Sequence, residues 1–362
     1  MRGIALSIFL AAIVCTAELA VAAEPTQTAV FAAGQGGYHS YRIPSLIVTQ
    51  KKTLLAFCEG RKKNRNDAGD IDLLMRRSTD GGKTWGEVQV VWDDGGNTCG
   101  NPCPVVDAKT GTIWLLLTHN LGTDNEKRIL DGTSKGTRTV WVASSGDDGA
   151  TWTKPAEISR DVKRPDWTWY ATGPGVGIQL RSGRLVIPCD NKLAKTELNQ
   201  SHVIYSDDAG KAWRLGGVVG PGCNECQIVE LADGALLLNM RGVKGDSRRK
   251  IAISRDGGET FTEPRPDETL IEPVCQASLI RLAGGSLLFS NPASTKRERI
   301  TIRGSDDGGK TWPRAKVLHA RAAAYSCLAE LPDGRIGCLY ERGEKHAYET
   351  ITFAIFAREW LK

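Results

Sequence analysis

The chain has 362 residues, of which 41% are hydrophobic and 25% are charged, a mixture that excludes a disordered tail and a membrane bundle. Its 40 glycines and 10 tryptophans, against 3 methionines, disfavour a helical bundle and favour a fold with many tight turns. The net charge of +5 comes from interspersed charges of both signs. It does not indicate a nucleic-acid partner, and it suits an anionic small ligand.

The first predicted element is a targeting segment over residues 1–23. Arg2 supplies its positive start, and an apolar run over residues 4–14 follows that is too short for a transmembrane helix. We therefore expect an exported chain, periplasmic or secreted. A lipid anchor on Cys15 is the alternative, but Val14 before it is bulkier than the small residue usual there. No later segment has the length and apolarity of a membrane span, so we do not expect a transmembrane protein.

The cysteines give no metal site and no fixed disulfide pattern. The sequence has 10 cysteines, and export permits disulfides, but their connectivity cannot be read from spacing. Cys223 and Cys226 resemble half of a zinc site, while the five histidines show no ligand spacing. We expect neither a metal nor another cofactor, and we interpret most cysteines as small buried residues.

An internal repeat organises the rest of the chain. An octapeptide of the form Ser-x-Asp-x-Gly-x-Thr-Trp recurs five times, with Ala for Thr in the third copy and Phe for Trp in the fourth. Successive copies start 67, 61, 48 and 51 residues apart. The aspartates of these boxes are Asp80, Asp147, Asp208, Asp256 and Asp307.

Each box has the chemistry of a turn. Its aspartate can accept backbone N–H groups, its glycine can adopt positive φ, and its aromatic residue can pack beneath the loop. Short apolar runs with the length of strands precede the boxes. We therefore expect one domain over residues 24–362, an all-β six-bladed β-propeller with five boxed blades and one blade without a box. Strands from both ends, near Phe31 and over residues 351–358, would close the ring, and longer loops are expected over residues 121–135 and 190–200.

The box aspartates are interpreted as structural, because propellers usually carry function on loops at one end of the channel. Outside the boxes, three arginines stand in separate blades: Arg42 in Tyr-Arg-Ile-Pro, Arg241 at the end of an apolar strand, and Arg297 after Ser-Asn-Pro. Converging arginines would bind a carboxylate well, since guanidinium forks match its two oxygens. Taken singly, each arginine fits a solvated or paired surface residue better than a ligand-binding one.

Three further side chains could carry chemistry. Tyr325 lies among small residues that leave room beside it, and Glu225 lies near the start of a predicted strand. Asp67 lies in a loop before the strand that leads to the first box. Each of the three is weak evidence by itself.

Together with the boxes, these residues give the chain a resemblance to the bacterial exo-sialidases (neuraminidases), from about residue 38 to residue 358. The ordered set of arginines, acids and tyrosine is its specific part, since the boxes also occur in other propellers. The matching stretches are Tyr-Arg-Ile-Pro at 41–44, Glu-Gly-Arg at 59–61 with Asp67, Gly-Pro-Gly at 173–175, Gly-Arg-Leu at 183–185, Asn-Glu-Cys-Gln at 224–227, Asn-Met-Arg-Gly at 239–242, Asn-Pro at 291–292 with Arg297, Ala-Tyr-Ser at 324–326 and Leu-Tyr-Glu at 339–341.

The resemblance implies a role for each residue. It implies that Arg42, Arg241 and Arg297 hold the substrate carboxylate, and that Glu341 holds Arg42. It further implies a tyrosine nucleophile, a general base for it and a general acid/base, at Tyr325, Glu225 and Asp67. The same resemblance implies a six-bladed propeller that needs no metal.

These implied roles suit the substrate. Sialic acid carries a carboxylate on its anomeric carbon, which would repel a carboxylate nucleophile, whereas a phenol is neutral until it reacts. With an ordinary pKa near 10, a tyrosine needs a base within hydrogen-bond reach, and Glu225 would be that base. Sialidases with a tyrosine nucleophile are a known exception to the two-carboxylate mechanism of most glycosidases. For Asp67 to be protonated, its pKa should be raised by partial burial or by the approaching substrate.

Some assignments stay open. Arg299 or Arg303 could take the place of Arg297, and Asp70 or Asp72 could compete with Asp67. Arg61 would either touch the 4-position of the sugar or pair locally. Three aromatic residues would either line a glycan subsite or lie in a surface loop: Trp167, Trp169 and Tyr170.

The expected function is retaining hydrolysis of terminal sialic acid from glycans or glycoconjugates by a monomeric exported enzyme. One alternative is a sialic-acid lectin, which would need a defect in the catalytic residues that the sequence does not show. The other is a trans-sialidase that transfers the sugar to another acceptor or within the substrate. Linkage preference and the exact nonulosonic acid cannot be read from the sequence.

Overall fold

The computed structural model describes residues 23–196, 198–243 and 247–362. Residues 1–22 of the predicted targeting segment, with Cys15, lie outside the described residues. Strands account for 51% of the residues and helices for 4%, so the all-β prediction is confirmed. Among the described residues, no helix has the length and apolarity needed to cross a membrane.

The described residues form 24 strands in four sheets of eight, five, four and seven strands. The first sheet contains β2 (Ser40–Val48), β3 (Leu54–Arg61), β4 (Ile71–Ser78), β5 (Gln89–Trp92), β6 (Thr98–Val106), β7 (Ile113–Asn120), β8 (Thr139–Ser145) and β9 (Ala156–Glu157). The second contains β10 (Trp167–Thr172), β11 (Ile178–Gln179), β12 (Leu185–Leu193), β13 (Asn199–Ser206) and β14 (Arg214–Val219).

The third sheet contains β15 (Cys223–Glu230), β16 (Leu236–Gly242), β17 (Arg248–Ser254) and β18 (Arg265–Ile271). The fourth contains β1 (Thr26–Ala32), β19 (Ser278–Arg281), β20 (Leu287–Pro292), β21 (Glu298–Ser305), β22 (Arg314–Glu330), β23 (Ile336–Arg342) and β24 (Thr350–Phe356). Two short helices, α1 (Glu126–Asp131) and α2 (Ser159–Val162), and a 3-10 turn, Arg358–Leu361, complete the described elements.

The strand pairs within the four sheets are antiparallel almost throughout. Two junctions join groups of strands into the larger sheets. Strand β4 meets β6 through a single parallel residue pair, Ile71 with Thr98. The 17-residue strand β22 pairs with β21 through its first half and with β23 through its second half, from Ala323 onward.

The five boxes form the predicted turns. Each begins at the last residue of a strand, namely β4, β8, β13, β17 or β21. In the first box, Asp80 accepts hydrogen bonds from the Ser78 hydroxyl at 2.8 Å, from the Thr84 backbone N–H at 3.0 Å and from the Thr84 hydroxyl at 2.6 Å. Gly82 has a φ of 87°, and an added Cβ there would come within 2.1 Å of the Phe353 ring. The closed turn thus needs both the aspartate and the glycine.

The two ends of the described chain pair with each other. Strand β1 is antiparallel to β24, with Phe31 opposite Ile351, which confirms the predicted pairing of these segments. Phe31, Ile351 and Cys327 of β22 belong to one buried apolar cluster. Side-chain packing therefore joins the first and last strands in addition to their backbone hydrogen bonds.

Two local predictions need correction, and one holds. The predicted loop at 121–135 contains helix α1, which Asn125 caps by accepting a hydrogen bond from Arg128 N. The predicted loop at 190–200 is mostly strand, since β12 runs to Leu193 and β13 starts at Asn199. The nine described cysteines are all buried with free thiols, as the interpretation of most as small core residues predicted.

Candidate active site

A cavity of about 180 Å³ lies where the ends of several strands meet. Most of its wall is charged or polar, and side chains far apart in the sequence meet there. Eight of the candidate residues named from the sequence line it: Arg42, Arg61, Asp67, Trp169, Glu225, Arg241, Arg297 and Tyr325.

Three guanidinium groups surround the Tyr325 side chain. The Cζ atom of Arg42 lies 4.9 Å from the centroid of the phenol ring, and that of Arg297 lies 5.7 Å from it. Arg241 NH1 lies 3.4 Å from the phenol oxygen. The three come from β2, β16 and the loop before β21, so the fold brings together residues that the sequence could only suggest.

Tyr325 and Glu225 form the centre of the site. The Tyr325 hydroxyl donates a hydrogen bond to Glu225 Oε1, and Arg241 NH1 donates to Glu225 Oε2 at 2.7 Å. Burial and the Glu225 carboxylate raise the pKa of Tyr325 well above its usual value, although the three arginines oppose that shift. The phenol is therefore neutral in the free protein and hydrogen-bonded to a carboxylate.

Glu341 lies behind the cavity and fixes two of its walls. Its Oε1 accepts from Arg42 Nε and from the Ile43 backbone N–H, each at 2.9 Å. Its Oε2 accepts from Arg42 NH2 at 3.2 Å and from the Tyr325 backbone N–H at 3.1 Å. One fully buried carboxylate thus sets both an arginine and the backbone that carries the tyrosine.

Asp67 lies at the mouth of the cavity, with 62% of its side chain exposed. Arg61 NH2 contacts its carboxylate at 2.7 Å and also contacts Glu59 at 2.6 Å, while Arg42 NH1 lies 3.9 Å from Asp67. Desolvation raises the pKa of Asp67, but Arg61 and Arg42 lower it more, so the pKa lies below its usual value. The expectation that partial burial raises this pKa is wrong for the free protein, because two cations face the carboxylate.

Backbone irregularities aim the side chains into the cavity. Four inner strands shift register by a bulge at the residues that line it: β2 between Arg42 and Ser45, β6 between Gly100 and Cys103, β15 between Cys223 and Cys226, and β22 between Ala323 and Ser326. A bulge turns a side chain out of the regular alternation of a strand. Ile43 and Asn101, each followed by proline, also have positive φ, of 62° and 53°.

The structure separates the competing residues. Arg297 lines the cavity, and its NH1 donates to the Tyr348 hydroxyl at 2.8 Å, whereas neither Arg299 nor Arg303 is among the lining residues described. Asp70 and Asp72 contact Lys62 Nζ at 2.9 and 3.0 Å instead of the cavity. Arg61 pairs locally and lines the cavity at the same time.

The three candidate aromatic residues are not in a surface loop. They belong to strand β10 and are buried, with exposures of 1% for Trp167, 7% for Trp169 and 0% for Tyr170. Trp169 lines the cavity, and the Arg138 Cζ atom lies 4.3 Å above its ring. Trp167 and Tyr170 pack instead against His202, at 4.6 and 4.8 Å between ring centroids.

Several polar lining residues escaped the sequence analysis. Arg138 is 3% exposed and donates from Nε to Thr118 Oγ1 at 3.1 Å, but among the described residues it forms no ion pair. Asp190 is 1% exposed; Asn224 donates to its Oδ1 at 2.8 Å, while its Oδ2 has no partner in the described part of the chain. Burial lowers the pKa of Arg138 and raises that of Asp190. No local pattern marks them, because what distinguishes them is burial without an ion-pair partner among the described residues.

Cationic and acidic side chains line the cavity together. Arg42, Arg61 and Arg241 each contact a carboxylate, while Arg297 contacts the Tyr348 hydroxyl and the Val274 carbonyl oxygen. Among the residues described, none form a group of three histidine, cysteine or acidic side chains that could hold a metal. The box aspartates are exposed and do not line the cavity.

Comparison with protein families gives a match to the BNR repeat-like domain over residues 52–338. The chain is 39% identical to a sialidase of Micromonospora viridifaciens, in an alignment that covers 91% of this chain and 53% of that protein. It is 32% identical to an exo-alpha-sialidase of Aspergillus fumigatus, covering 90% of this chain and 86% of that protein. It spans about half the length of the Micromonospora protein.

Comparison with solved structures identifies the same architecture. The Hadza microbial sialidase Hz136 superposes with a TM-score of 0.84 at 33% identity, over 93% of this chain and 69% of that one. The similarity thus extends over nearly the whole chain.

Proposed function

The chain belongs to the BNR-repeat sialidase family, and from this premise and the geometry of the cavity we propose that it is an exo-α-sialidase. In this proposal it releases terminal sialic acid from glycans or glycoconjugates by retaining hydrolysis. The observation that carries the proposal is the arrangement around Tyr325, whose hydroxyl donates to Glu225 within a ring of three arginines.

Arg42, Arg241 and Arg297 would hold the substrate carboxylate. Guanidinium groups bind carboxylates through paired hydrogen bonds, and three of them attract a carboxylate more strongly than a single cation does. Arg297 supports this role because its described partners are a hydroxyl and a carbonyl oxygen, so its charge is not neutralised before substrate binds. Glu341 would hold Arg42 in place through its two-point contact.

Tyr325 would attack the anomeric carbon. As its oxygen forms the new bond, its proton passes to Glu225 Oε1, and the bond from the anomeric carbon to the aglycone oxygen breaks. A neutral phenol approaches a carbon that carries a carboxylate without charge repulsion. Glu225 makes the attack possible because the resting pKa of the phenol is raised by burial.

Asp67 would protonate the departing oxygen and then deprotonate the water that hydrolyses the tyrosyl intermediate. Glu225 returns its proton to Tyr325 as that bond breaks, so the cycle ends with the enzyme unchanged and the anomeric configuration retained. The pKa of Asp67 is low in the free protein, so substrate binding must raise it before Asp67 can act as an acid. A bound carboxylate neutralises Arg42, which weakens one of the two cations that keep Asp67 ionised.

The fold proposed with this function is a six-bladed propeller. If the single-pair junction between β4 and β6 and the midpoint of β22 are treated as boundaries, the four sheets divide into six mainly antiparallel groups. Strand β1 then becomes the outer strand of the sixth group, next to β24. We propose that these groups are the blades of one domain over residues 24–362.

We also propose that the protein is an exported monomer, without a metal or other cofactor. Support for export comes from Arg2 and the apolar run at residues 4–14. N-terminal sequencing of protein recovered from the periplasm or the medium tests it, and a start at Ala23 or Glu24 is expected. An intact N-terminus on all of the recovered protein would contradict cleavage.

The activity is tested with a fluorogenic aryl α-sialoside followed by proton NMR. Release of the fluorophore, with the α-anomer of free sialic acid appearing before the β-anomer, is the expected result. Saturable binding of sialic acid without release would instead indicate a lectin. A 2,7-anhydro sugar or a new glycoside as the main product would indicate transfer, and either result would overturn the proposal of hydrolysis.

A further inference from the structure

A buried ion pair that the proposed reaction does not use lies beneath the carboxylate-binding arginines. Arg249 of β17 and Glu272, the residue after β18, meet at 2.8 Å between NH1 and Oε2, with side-chain exposures of 0% and 1%. Burying two charges carries a desolvation penalty, and apolar replacements are often no less stable. Stability alone therefore does not account for this pair.

The segment over residues 272–276, which joins β18 to β19, links the pair to two of the arginines. Glu272 Oε1 accepts a hydrogen bond at 2.6 Å from the backbone N–H of Gly242, the residue after Arg241. The carbonyl oxygen of Val274 accepts one at 3.3 Å from Arg297 NH2. The segment thus contacts the backbone beside one arginine and the guanidinium group of another.

The same segment reaches the backbone beside Tyr325. Gln276 Oε1 accepts from the Ser326 backbone N–H, and Gln276 Nε2 donates to the Ser326 carbonyl oxygen, both at 3.0 Å. Cys275 packs in a buried cluster that also contains Tyr325 and Ala324. Four of the five residues in this segment therefore contact the surroundings of Arg241, Arg297 and Tyr325.

The segment has a conformation that needs support. Val274 has a φ of 54°, in the left-handed region that a β-branched residue rarely adopts. Arg249 supports the segment through a hydrogen bond, since its NH1 donates to the Cys275 carbonyl oxygen at 2.8 Å. Its Nε donates to Asn239 Oδ1, also at 2.8 Å, which ties the segment to the strand that carries Arg241.

We propose that Arg249 and Glu272 are positioning residues that set the geometry of Arg241, Arg297 and Tyr325 through the 272–276 segment. This inference rests on the proposed function. The pair acts on one side of the cavity as Glu341 acts on the other, where one buried carboxylate holds Arg42 and the Tyr325 backbone. The two buried carboxylates together fix the three arginines against the nucleophile.

The test compares how strongly the wild type and a variant prefer sialic acid, which is an anion, over its uncharged methyl ester. Inhibition constants are measured for free sialic acid and for its methyl ester, in the wild type and in Glu272→Gln. The amide cannot neutralise Arg249, so the segment shifts and the arginines lose their alignment. We expect the acid-over-ester preference to fall by about tenfold, as for one lost charge-assisted hydrogen bond.

Asp267→Asn is the matched control. Asp267 is a buried carboxylate on β18 that accepts from the backbone N–H groups of Thr269 and Leu270 and does not line the cavity. It should lower the melting temperature and leave the acid-over-ester preference unchanged. If Glu272→Gln does not fold, Arg249→Lys provides the same measurement, because it keeps the charge but loses the forked contacts.

The outcomes separate the two proposals. A wild type that neither cleaves the sialoside nor prefers the acid would contradict the proposed function. The positioning role would be overturned if the wild type prefers the acid over the ester and the folded Glu272→Gln and Arg249→Lys variants keep that preference in full. Gln276→Met gives an independent check: it should lower kcat more than it raises KM, since it frees the backbone beside the nucleophile, and an unchanged kcat would count against the inference.

Discussion

The Tyr325 hydroxyl donates its hydrogen bond to Glu225 across a separation of 100 residues in the chain. The other oxygen of that carboxylate is occupied by Arg241, so the two oxygens of Glu225 are shared between a proton donor and a cation. The arrangement gives Glu225 a fixed direction toward the phenol. It also predicts what should happen when Tyr325 or Glu225 is changed.

Tyr325→Phe should lower kcat for an aryl sialoside by about 10³-fold or more, because it removes the oxygen that we propose as the nucleophile and keeps the ring between Arg42 and Arg297. Steady-state kinetics with a fluorogenic sialoside measures the change. Tyr340→Phe is the control: Tyr340 is buried and its hydroxyl donates to Gln27 at 2.8 Å, away from the cavity. Equal turnover in the two variants would refute a tyrosine nucleophile.

Arg61→Met should move the alkaline limb of kcat/KM to higher pH. Arg61 is the nearest cation to Asp67, and it lowers the pKa of that carboxyl against the desolvation that raises it. Its removal lets Asp67 keep its proton at higher pH. The shift should appear with sialyllactose, whose leaving group needs protonation, and should be absent with a nitrophenyl sialoside.

Lys62→Met is the matched control for that prediction. Lys62 is the neighbouring cation, but it contacts Asp70 and Asp72 outside the cavity. Its removal should leave both pH profiles unchanged. The assignment of Asp67 as general acid would be wrong if Arg61→Met moved neither profile, or moved both by the same amount.

His202 should make the protein less stable as the pH falls below about 6.5. Burial, with a contribution from Arg164, lowers the pKa of His202 to about 3, so the folded form stays neutral while the unfolded chain binds a proton. Stability contributed by the neutral ring is thus complete above pH 6.5 and is lost toward pH 3, by at most about 1.4 kcal/mol per pH unit.

Denaturant unfolding at several pH values measures this dependence. In His202→Gln the slope between pH 6 and pH 4 should decrease, although the variant also loses ring contacts with Trp167 and Tyr170 and is less stable at neutral pH. His39→Gln, at an exposed position, should keep the wild-type slope. The same slope in all three proteins would show that the His202 ring does not stay neutral on folding.

Arg138→Met should raise the melting temperature of the free protein and weaken substrate binding. Arg138 is a buried cation without an ion pair among the described residues, and burial lowers its pKa. Methionine can keep the contact with the Trp169 ring without the desolvation cost of a charge. A gain of about 1 kcal/mol would raise Tm by about 2 °C in a domain of this size.

Arg61→Met provides the contrast in the same thermal unfolding measurement. Arg61 is equally buried but contacts Glu59 at 2.6 Å, so its removal leaves a buried carboxylate without its cation and should lower Tm. Competition by free sialic acid measures binding in both variants. A lower Tm with unchanged affinity in Arg138→Met would show that Arg138 is a packing residue and not a group kept for a ligand.

The sequence predicted the local features well because the residues that interact in them lie within a few positions of one another in the chain. In each box the aspartate binds its own serine and the residues up to four positions later, so the octapeptide specifies its turn without help from the rest of the chain. The apolar runs before the boxes predicted strands for the same reason. The pairing of β1 with β24 was also accessible, since both end segments are strand-like.

Where contacts depend on long-range burial, the sequence was less informative. It placed Trp167 and Tyr170 in a subsite or a surface loop, but a run of aromatics does not say which side of a strand faces the core. It allowed partial burial or the approaching substrate to raise the pKa of Asp67, and the burial effect is outweighed in the free protein by Arg61 and Arg42, whose proximity cannot be read from an intervening loop. Arg138 and Asp190 carried no signal, since each is distinguished by burial without an ion-pair partner in the described part of the chain and not by a neighbour in sequence.

The sequence by itself determined the all-β class, the repeated turns and the residue types of the site, because these follow from short-range hydrogen bonding and from the chemistry of individual side chains. Only the tertiary structure decided that Arg42 meets Glu341, 299 residues away, and that bulges in four strands turn the lining residues into one cavity. It also decided which charges lie buried together, and electrostatic effects depend on those distances and on the water that burial removes.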